Sequence, residues 1–285
     1  MWDLWRKGRS PDNERRQGRA RYAYDSLSHL PGIGEFMTEK PITFPSLPPV
    51  DRRVFIPDDI WVVENKQWAR LSRRDDPARW ERLVASDDAI TTQLKRGIWP
   101  SSSSSAPAVM ADMIAALRLK PGMRVLEIGT GTGWNAACLA ELGAEVVSVE
   151  IDAVIAARAR TNLQKAGYPE VVVITGDGEH GAPDHAPFDR VLSTAAARNV
   201  PYAWVEQCVE GGLIVTPYTG EGHKYALLVL TVSAGVAAGG MEGTAFFMPL
   251  RGQGLSQADQ RALECRNDLW VKVSKSGQVI TYRSD

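Results

Sequence analysis

Arg124-Val125-Leu126-Glu127-Ile128-Gly129-Thr130-Gly131-Thr132-Gly133-Trp134 decides how this chain folds. Arg124 to Ile128 is a short apolar run of the kind that forms a buried parallel strand, and Trp134 to Leu142 is an apolar helical stretch. Glycines alternate between the two. Glycine tolerates backbone conformations closed to other residues, and its missing side chain lets a ligand approach the main chain. Strand, glycine turn and helix form the phosphate- or cofactor-cradling opening of a doubly wound α/β sheet.

The next segments extend that sheet. Glu145 to Glu150 is short, apolar and β-branched, a second strand with a carboxylate at its C-terminal tip. There Glu150 is placed to accept both hydrogen bonds of a ribose diol, as in other open α/β sites. A third strand, Val171 to Thr175, ends in Gly176-Asp177-Gly178, where Asp177 can accept from an adenine amino group and Gly178 allows close approach. A fourth, Arg190 to Ser193, follows Phe188-Asp189 and ends in Thr194-Ala195-Ala196-Ala197, whose small side chains leave the cleft floor open. The glycine spacing, Glu-x-Gly-x-Gly-x-Gly, departs from the Gly-x-Gly-x-x-Gly of dinucleotide sites. It resembles the first motif of class I S-adenosylmethionine-dependent methyltransferases. That resemblance implies a class I methyltransferase (Rossmann-like) fold and S-adenosyl-L-methionine as cofactor, leaving S-adenosyl-L-homocysteine. The expected cofactor-binding residues are Glu127, Gly129, Thr130, Gly131, Gly133, Glu150, Ile151, Asp177 and Gly178.

Composition narrows the rest. The chain has 285 residues, 44% hydrophobic and 24% charged, in the range of globular proteins. A formal net charge of −1 gives no global case for nucleic acid or membrane. No apolar run approaches a membrane span, and the N-terminal residues lack the apolar core of a signal peptide. Cys138, Cys208 and Cys265 are unclustered, which argues against a disulfide framework and fits a reducing cytoplasm. His29, His180, His185 and His223 form no metal-spaced pair, so no metal is expected.

Three regions are expected: 1–97 as an N-terminal extension and substrate-side cap, 98–250 as the cofactor-binding domain, and 251–285 as a C-terminal extension. Arg6 to Arg21 is a basic arm, read as disordered or loosely helical, with docking of an acidic peptide as the sharper reading. Pro41 to Pro57 holds five prolines and suggests an extended segment. From Trp61 to Gly97 charge is mixed, with Trp61, Trp68 and Trp80 as anchors and a short helix over Pro77 to Val84. The serine run Ser101 to Ser105 is expected to supply N-cap chemistry for an amphipathic helix carrying Val109, Met110, Met113, Ile114 and Leu117. Beyond the fourth strand come a helix at Val200 to Gln207, a Gly211-Gly212 turn and a strand at Leu213 to Thr216. Further strands at Ala226 to Val232 and Gly243 to Met248 form an antiparallel edge, followed by a helix around Ala258 to Cys265 and a hairpin at Ser276-Gly277.

Ser105-Ala106-Pro107, the Leu119 to Gly131 stretch and Gly176-Asp177-Gly178 together resemble protein-L-isoaspartate O-methyltransferases. So do Ala186 to Val191 with Thr194-Ala195-Ala196, and Val200-Pro201 with Gln207 and Gly211-Gly212. Asp51 to Pro57 is similar to the family's Val-Pro-Arg-x-x-Phe-Val-Pro entry segment. The resemblance covers roughly residues 48 to 232. It implies methyl transfer to a peptide carboxylate, with Ser105 as the catalytic serine that hydrogen-bonds the acceptor, and Ser103, Ser104 and Thr194 as substrate-binding neighbours. The ester would then be attacked by the next backbone nitrogen to give a succinimide (aspartimide).

Departures point further. The entry to the site is Trp99-Pro100 and serines in place of the repair enzymes' pattern, and the chain carries an added arm and tail. These features, with Phe55-Ile56-Pro57-Asp58, Asp75-Asp76-Pro77 and Ala245-Phe246-Phe247-Met248, resemble a divergent actinobacterial branch that accompanies ribosomally made modified peptides: lanthipeptides, lasso peptides and graspetides. The leading expectation is therefore esterification of an Asp side chain in a constrained peptide. General isoaspartate repair is the alternative, and a non-catalytic peptide-binding partner on the same fold is the alternative of another class. Nucleic-acid methylation is disfavoured, because no Asn-Pro-Pro-Tyr-like motif follows the fourth strand and no aromatic-interleaved basic patch is visible.

Overall fold

The computed structural model describes residues 47–220, 226–253 and 269–282. The basic arm, most of the proline-rich start, the Ala258 to Cys265 helix, His29 and His223 lie outside them.

The expected strand–glycine–helix unit is present: β5 (Arg124–Ile128) runs into α3 (Trp134–Glu141). Around it stand β6 (Glu145–Glu150), α4 (Ala153–Ala166), β7 (Val172–Thr175) and β8 (Phe188–Ser193), with β9 (Cys208–Tyr218) reached through the short α5 (Tyr202–Glu206). These five strands are parallel and lie in the order β7-β6-β5-β8-β9. The chain winds outward from β5 in one direction and from β8 in the other. The ends of β5 and β8 are thus the topological switch point where such sheets bind ligands.

The antiparallel edge is also present and longer than expected. β10 (Ala226–Ser233), β11 (Val236–Thr244), β12 (Leu269–Ser274) and β13 (Gly277–Tyr282) extend the same sheet to nine strands. The β12–β13 hairpin thus continues the main sheet. The strand expected at Gly243 to Met248 is corrected. β11 begins at Val236 and ends at Thr244, pairing with β10 around an Ala234-Gly235 turn, and the chain then leaves the sheet. Gly239, Gly240 and Gly243 dilute the apolar alternation that marks a strand, so only pairing with β10 and β12 reveals it. Gly211-Gly212 likewise lies inside β9, at a register irregularity against β8, and is no turn between elements.

The first region holds a sheet of its own: β1 (Asp59–Glu64), β2 (Gln67–Ser72), β3 (Ile90–Lys95) and β4 (Trp99–Ser104), ordered β2-β1-β3-β4. It therefore runs across position 97. α1 (Pro77–Val84) starts where expected, with Asp76 accepting the Arg79 N–H at 3.0 Å and Pro77 in its first turn. Trp80 is fully buried with Ile56, Ile60, Leu71, Val84 and Ile90, whereas Trp61 and Trp68 stay half-buried on the sheet.

The serine run is corrected as well. Ser101 to Ser104 are strand residues of β4, and α2 (Pro107–Leu117) begins after Ala106, which makes no side-chain cap. Pro107 has no N–H to cap, and the Ala108 N–H goes to Asp87 Oδ1 at 2.8 Å, so the helix start needs no serine.

Candidate active site

The glycine loop is held open by its neighbours. Gly129 has φ +91°, and a Cβ there would lie 2.7 Å from Thr194 Oγ1. Thr194 ties the two sides of the switch point together. Its N–H donates to the Ile128 carbonyl at 2.8 Å and its hydroxyl to the Gly129 carbonyl at 2.6 Å. Across from this loop stands the end of β4. Ser103, Ser104, Ser105, Gly129, Thr130, Gly131, Asn135 and Thr194 all border one cleft.

Strand alternation sorts the serines. Ser104 is 4% exposed and its Oγ accepts from Arg52 Nε at 3.1 Å, whereas Ser103 and Ser105 are only half-buried. Ser104 thus borders the cleft with its hydroxyl already engaged by Arg52.

Glu150 ends β6 as expected, and it is 6% exposed. Its Oε2 accepts the Gly131 N–H at 2.9 Å and its Oε1 the Asp152 N–H at 3.0 Å. A carboxylate has about four lone-pair sites, so two backbone bonds fix its plane and leave capacity for a diol. Ile151, next along, is 39% exposed, an apolar surface at the rim. Asp177 accepts the Glu179 N–H at 3.0 Å through Oδ1, capping its own turn, and Gly178 is buried against Ile128.

Glu127 is fully buried beneath the loop. Asn135 Nδ2 donates to its Oε1 at 2.7 Å, and the Ser148 hydroxyl donates to its Oε2. Thr130 Oγ1 lies 2.5 Å from Ser148 Oγ and joins the same chain. Burial raises the Glu127 pKa to about 7, against the hydrogen bonds from Ser148 and Asn135 and with the Glu150 charge adding to the rise. Glu127 thus supports the loop from below. Gly133 supports it from the side: its φ is +91° and a Cβ would come within 3.2 Å of Leu163 on α4.

Four residues at the site escaped the sequence reading: Arg52, Asn135, Ser148 and Arg251. Arg251 spans the rim, with its guanidinium 3.5 Å from Asp152 Oδ2 and 3.3 Å from the Ser101 carbonyl. Asn135 is 8% exposed and its Oδ1 is a buried acceptor with no partner among the described residues. Such an atom costs free energy until a donor reaches it. Arg52 carried a signal in the entry segment and Arg251 one at the end of the Ala245 to Arg251 stretch, whereas Asn135 and Ser148 carried none.

Comparison with known proteins converges on one family. The model of the family described as protein-L-isoaspartate(D-aspartate) O-methyltransferase (PCMT) matches residues 85–254, more than half of the chain. A protein-L-isoaspartate O-methyltransferase of Gloeobacter violaceus is 42% identical over 159 residues, 56% of this chain and 75% of that protein. One from Thermococcus onnurineus is 44% identical over 153 residues, 52% of this chain and 69% of its own length. Among solved structures, a protein-L-isoaspartate O-methyltransferase is 29% identical with a TM-score of 0.55; the match covers 59% of this chain and 54% of that one. A Plasmodium falciparum structure described as a putative protein-L-isoaspartate O-methyltransferase, in complex with S-adenosyl-L-homocysteine, shares the fold. It is 18% identical with a TM-score of 0.53, covering 71% of this chain and 86% of its own.

Proposed function

Because this chain belongs to the protein-L-isoaspartate(D-aspartate) O-methyltransferase family, S-adenosylmethionine-dependent carboxyl methyltransferases, we propose that it esterifies an Asp side chain of a constrained, ribosomally made peptide. The observation that carries carboxyl methylation is the cleft where Ser103 and Ser105 face Gly129 to Gly131, with Thr194 at the switch point. S-adenosylmethionine, when bound, supplies an activated methyl group on a sulfonium.

The residues fit that group. Gly129 exposes main chain where a side chain would collide with Thr194, Gly131 has φ +55°, and Asn135 Oδ1 lacks a donor among the described residues. Glu150 is braced for a diol, with Ile151 and Asp177 at the adenine side. On the acceptor side, Ser105 orients a carboxylate that is already nucleophilic at neutral pH. The protein's task is then positioning and partial exclusion of water, with no general base required.

What supports the constrained-peptide reading is added sequence outside the family match and exposed apolar surface within it. The family model ends at residues 85 and 254, so the chain carries sequence on both sides of it. On the β3–β4 turn, Ile98 and Trp99 are 59% and 50% exposed. Remote binding energy can be used to place one chosen carboxylate. Once formed, the ester carbonyl is attacked by the following backbone nitrogen; methanol leaves and a succinimide remains, a net loss of water from the starting Asp. General isoaspartate repair is the second reading, favoured by the 42–44% identity to the relatives above.

Mass spectrometry separates the two. Incubation with S-adenosylmethionine and a cyclised or threaded Asp peptide is expected to give a methyl gain followed by net loss of water, while short linear isoaspartyl peptides turn over poorly. Efficient methylation of generic isoaspartyl peptides, unaffected by removal of residues 1–40, would establish repair instead. No methylation of either substrate by a protein that binds the cofactor would leave only the non-catalytic partner.

A further inference from the structure

Arg52 does not border the cleft, yet it holds the chain that forms its wall. Nη2 donates to the carbonyls of Asp88 at 2.9 Å, Ser104 at 3.0 Å and Ser105 at 2.9 Å. Nε donates to Ser104 Oγ at 3.1 Å, and Nη1 to the Val84 and Ser86 carbonyls, each at 3.3 Å. The side chain is 6% exposed, and its guanidinium carbon lies 5.4 Å from the centre of the Trp134 ring. A buried cation is tolerated only when its donors are satisfied. Here they are satisfied almost wholly by main-chain oxygens.

Two of those oxygens belong to consecutive peptide units. A trans peptide is planar, with its C=O and N–H pointing in opposite directions. With the Ser104 and Ser105 carbonyls drawn to Arg52, the Ser105 and Ala106 N–H groups turn away from it. Neither N–H has a hydrogen-bond partner among the described residues. The Ser103 carbonyl, on the same strand, lies 3.6 Å from where a Gly131 side chain would begin, so this stretch of chain looks onto the glycine loop. Successive free N–H groups form concavities that hold anions. Asn135 Oδ1 borders the same cleft as a buried acceptor with no partner among the described residues; it awaits a donor, so it marks the cofactor side of the cleft and leaves the N–H groups to the anion.

We propose that Arg52 is a positioning residue: it presets the Ser104–Ala106 backbone so that the Ser105 and Ala106 N–H groups receive the acceptor carboxylate beside the Ser105 hydroxyl. This rests on the carboxyl-methylation reading above. Any Asp or isoaspartyl peptide that the wild-type protein methylates serves as the probe.

Ala106→Pro is the cleanest test. Ala106 has φ −59° and ψ 133°, which proline adopts, and proline replaces the N–H with its ring Cδ, so the position can no longer donate. A hydrogen bond to a charged group is lost, so KM for the peptide is expected to rise about tenfold or more. Affinity for S-adenosylhomocysteine and the melting temperature should hold. Arg52→Lys keeps the charge but cannot gather the same set of oxygens, and should show the same split between peptide KM and cofactor affinity. If Arg52→Lys fails to fold, Ala106→Pro decides alone. An unchanged peptide KM in folded Ala106→Pro overturns the inference, and so does a parallel loss of cofactor affinity. Unfolding of Ala106→Pro also overturns it, because that N–H would then be structurally engaged. A wild-type protein that binds S-adenosylhomocysteine but methylates no peptide carboxylate overturns the functional reading and this inference together.

Discussion

The Glu150 carboxylate accepts the Gly131 N–H at 2.9 Å, so the acid at the end of β6 and the glycine loop after β5 hold each other in place. The carboxylate proposed to hold the ribose thus also sets the shape of the loop. Glu150→Ala is expected to weaken S-adenosylhomocysteine binding at least tenfold by calorimetry, since bonds to charged groups contribute about 1.5–3 kcal/mol each. Unchanged affinity would reassign the ribose partner. Glu150→Gln should fall between the two, keeping the shape and losing the charge.

Glu127 gives a pH dependence with a definite sign. Its pKa is raised by burial from 4.5 to about 7 in the folded protein. Between those values the unfolded chain has lost the proton and the folded one keeps it, so stability falls as pH rises through this window. The effect is bounded at about 3 kcal/mol, from about 1.36 kcal/mol per pKa unit. Thermal melts of wild type and Glu127→Gln should therefore diverge, with the variant gaining relative to wild type from pH 5 to pH 7. Parallel curves would show that Glu127 is ionised throughout.

Ser105→Ala should leave cofactor affinity nearly intact and lower methylation, because its hydroxyl is the group proposed to bind the acceptor. The required pattern is a loss in kcat/KM without a loss in S-adenosylhomocysteine binding. If Ser103→Ala shows that pattern and Ser105→Ala does not, the acceptor sits one strand pair further along β4.

Gly129→Ala places a methyl group 2.7 Å from Thr194 Oγ1 in a backbone with φ +91°. Left-handed strain costs about 1–2 kcal/mol, and the displaced Thr194 loses its bond to the Gly129 carbonyl. A lower melting temperature and weakened cofactor binding are expected together. Gly97→Ala has φ +71° but open space around it, and should lower the melting temperature alone.

Much of the fold was legible because its signals are local. β5, β6 and β8 are short apolar runs buried in a parallel sheet, α1 starts at Asp76-Pro77, and the glycine turn follows from the positive φ of Gly129, Gly131 and Gly133. Glu150 and Asp177 could be placed from position alone, at the tips of strands whose order is set by right-handed crossovers.

The remainder was decided by contacts between segments distant in sequence. Ser101 to Ser104 became a strand because β3 offers a partner, not because serine favours strands. β11, diluted with glycine, exists because β10 and β12 flank it. Glu127 went beneath the loop because Ser148 and Asn135 meet it there, and burial then raised its pKa. Arg52 reaches the Ser105 carbonyl across a separation of 53 residues, a distance that only tertiary packing closes. Sequence by itself determined the β5 strand, the glycine turn after it and the acids at the tips of β6 and β7, since those depend on backbone freedom and side-chain period. Tertiary structure alone decided that Arg52 takes the Ser104 hydroxyl and holds the Ser104 and Ser105 carbonyls, because burial and hydrogen-bond satisfaction are properties of the assembled interior.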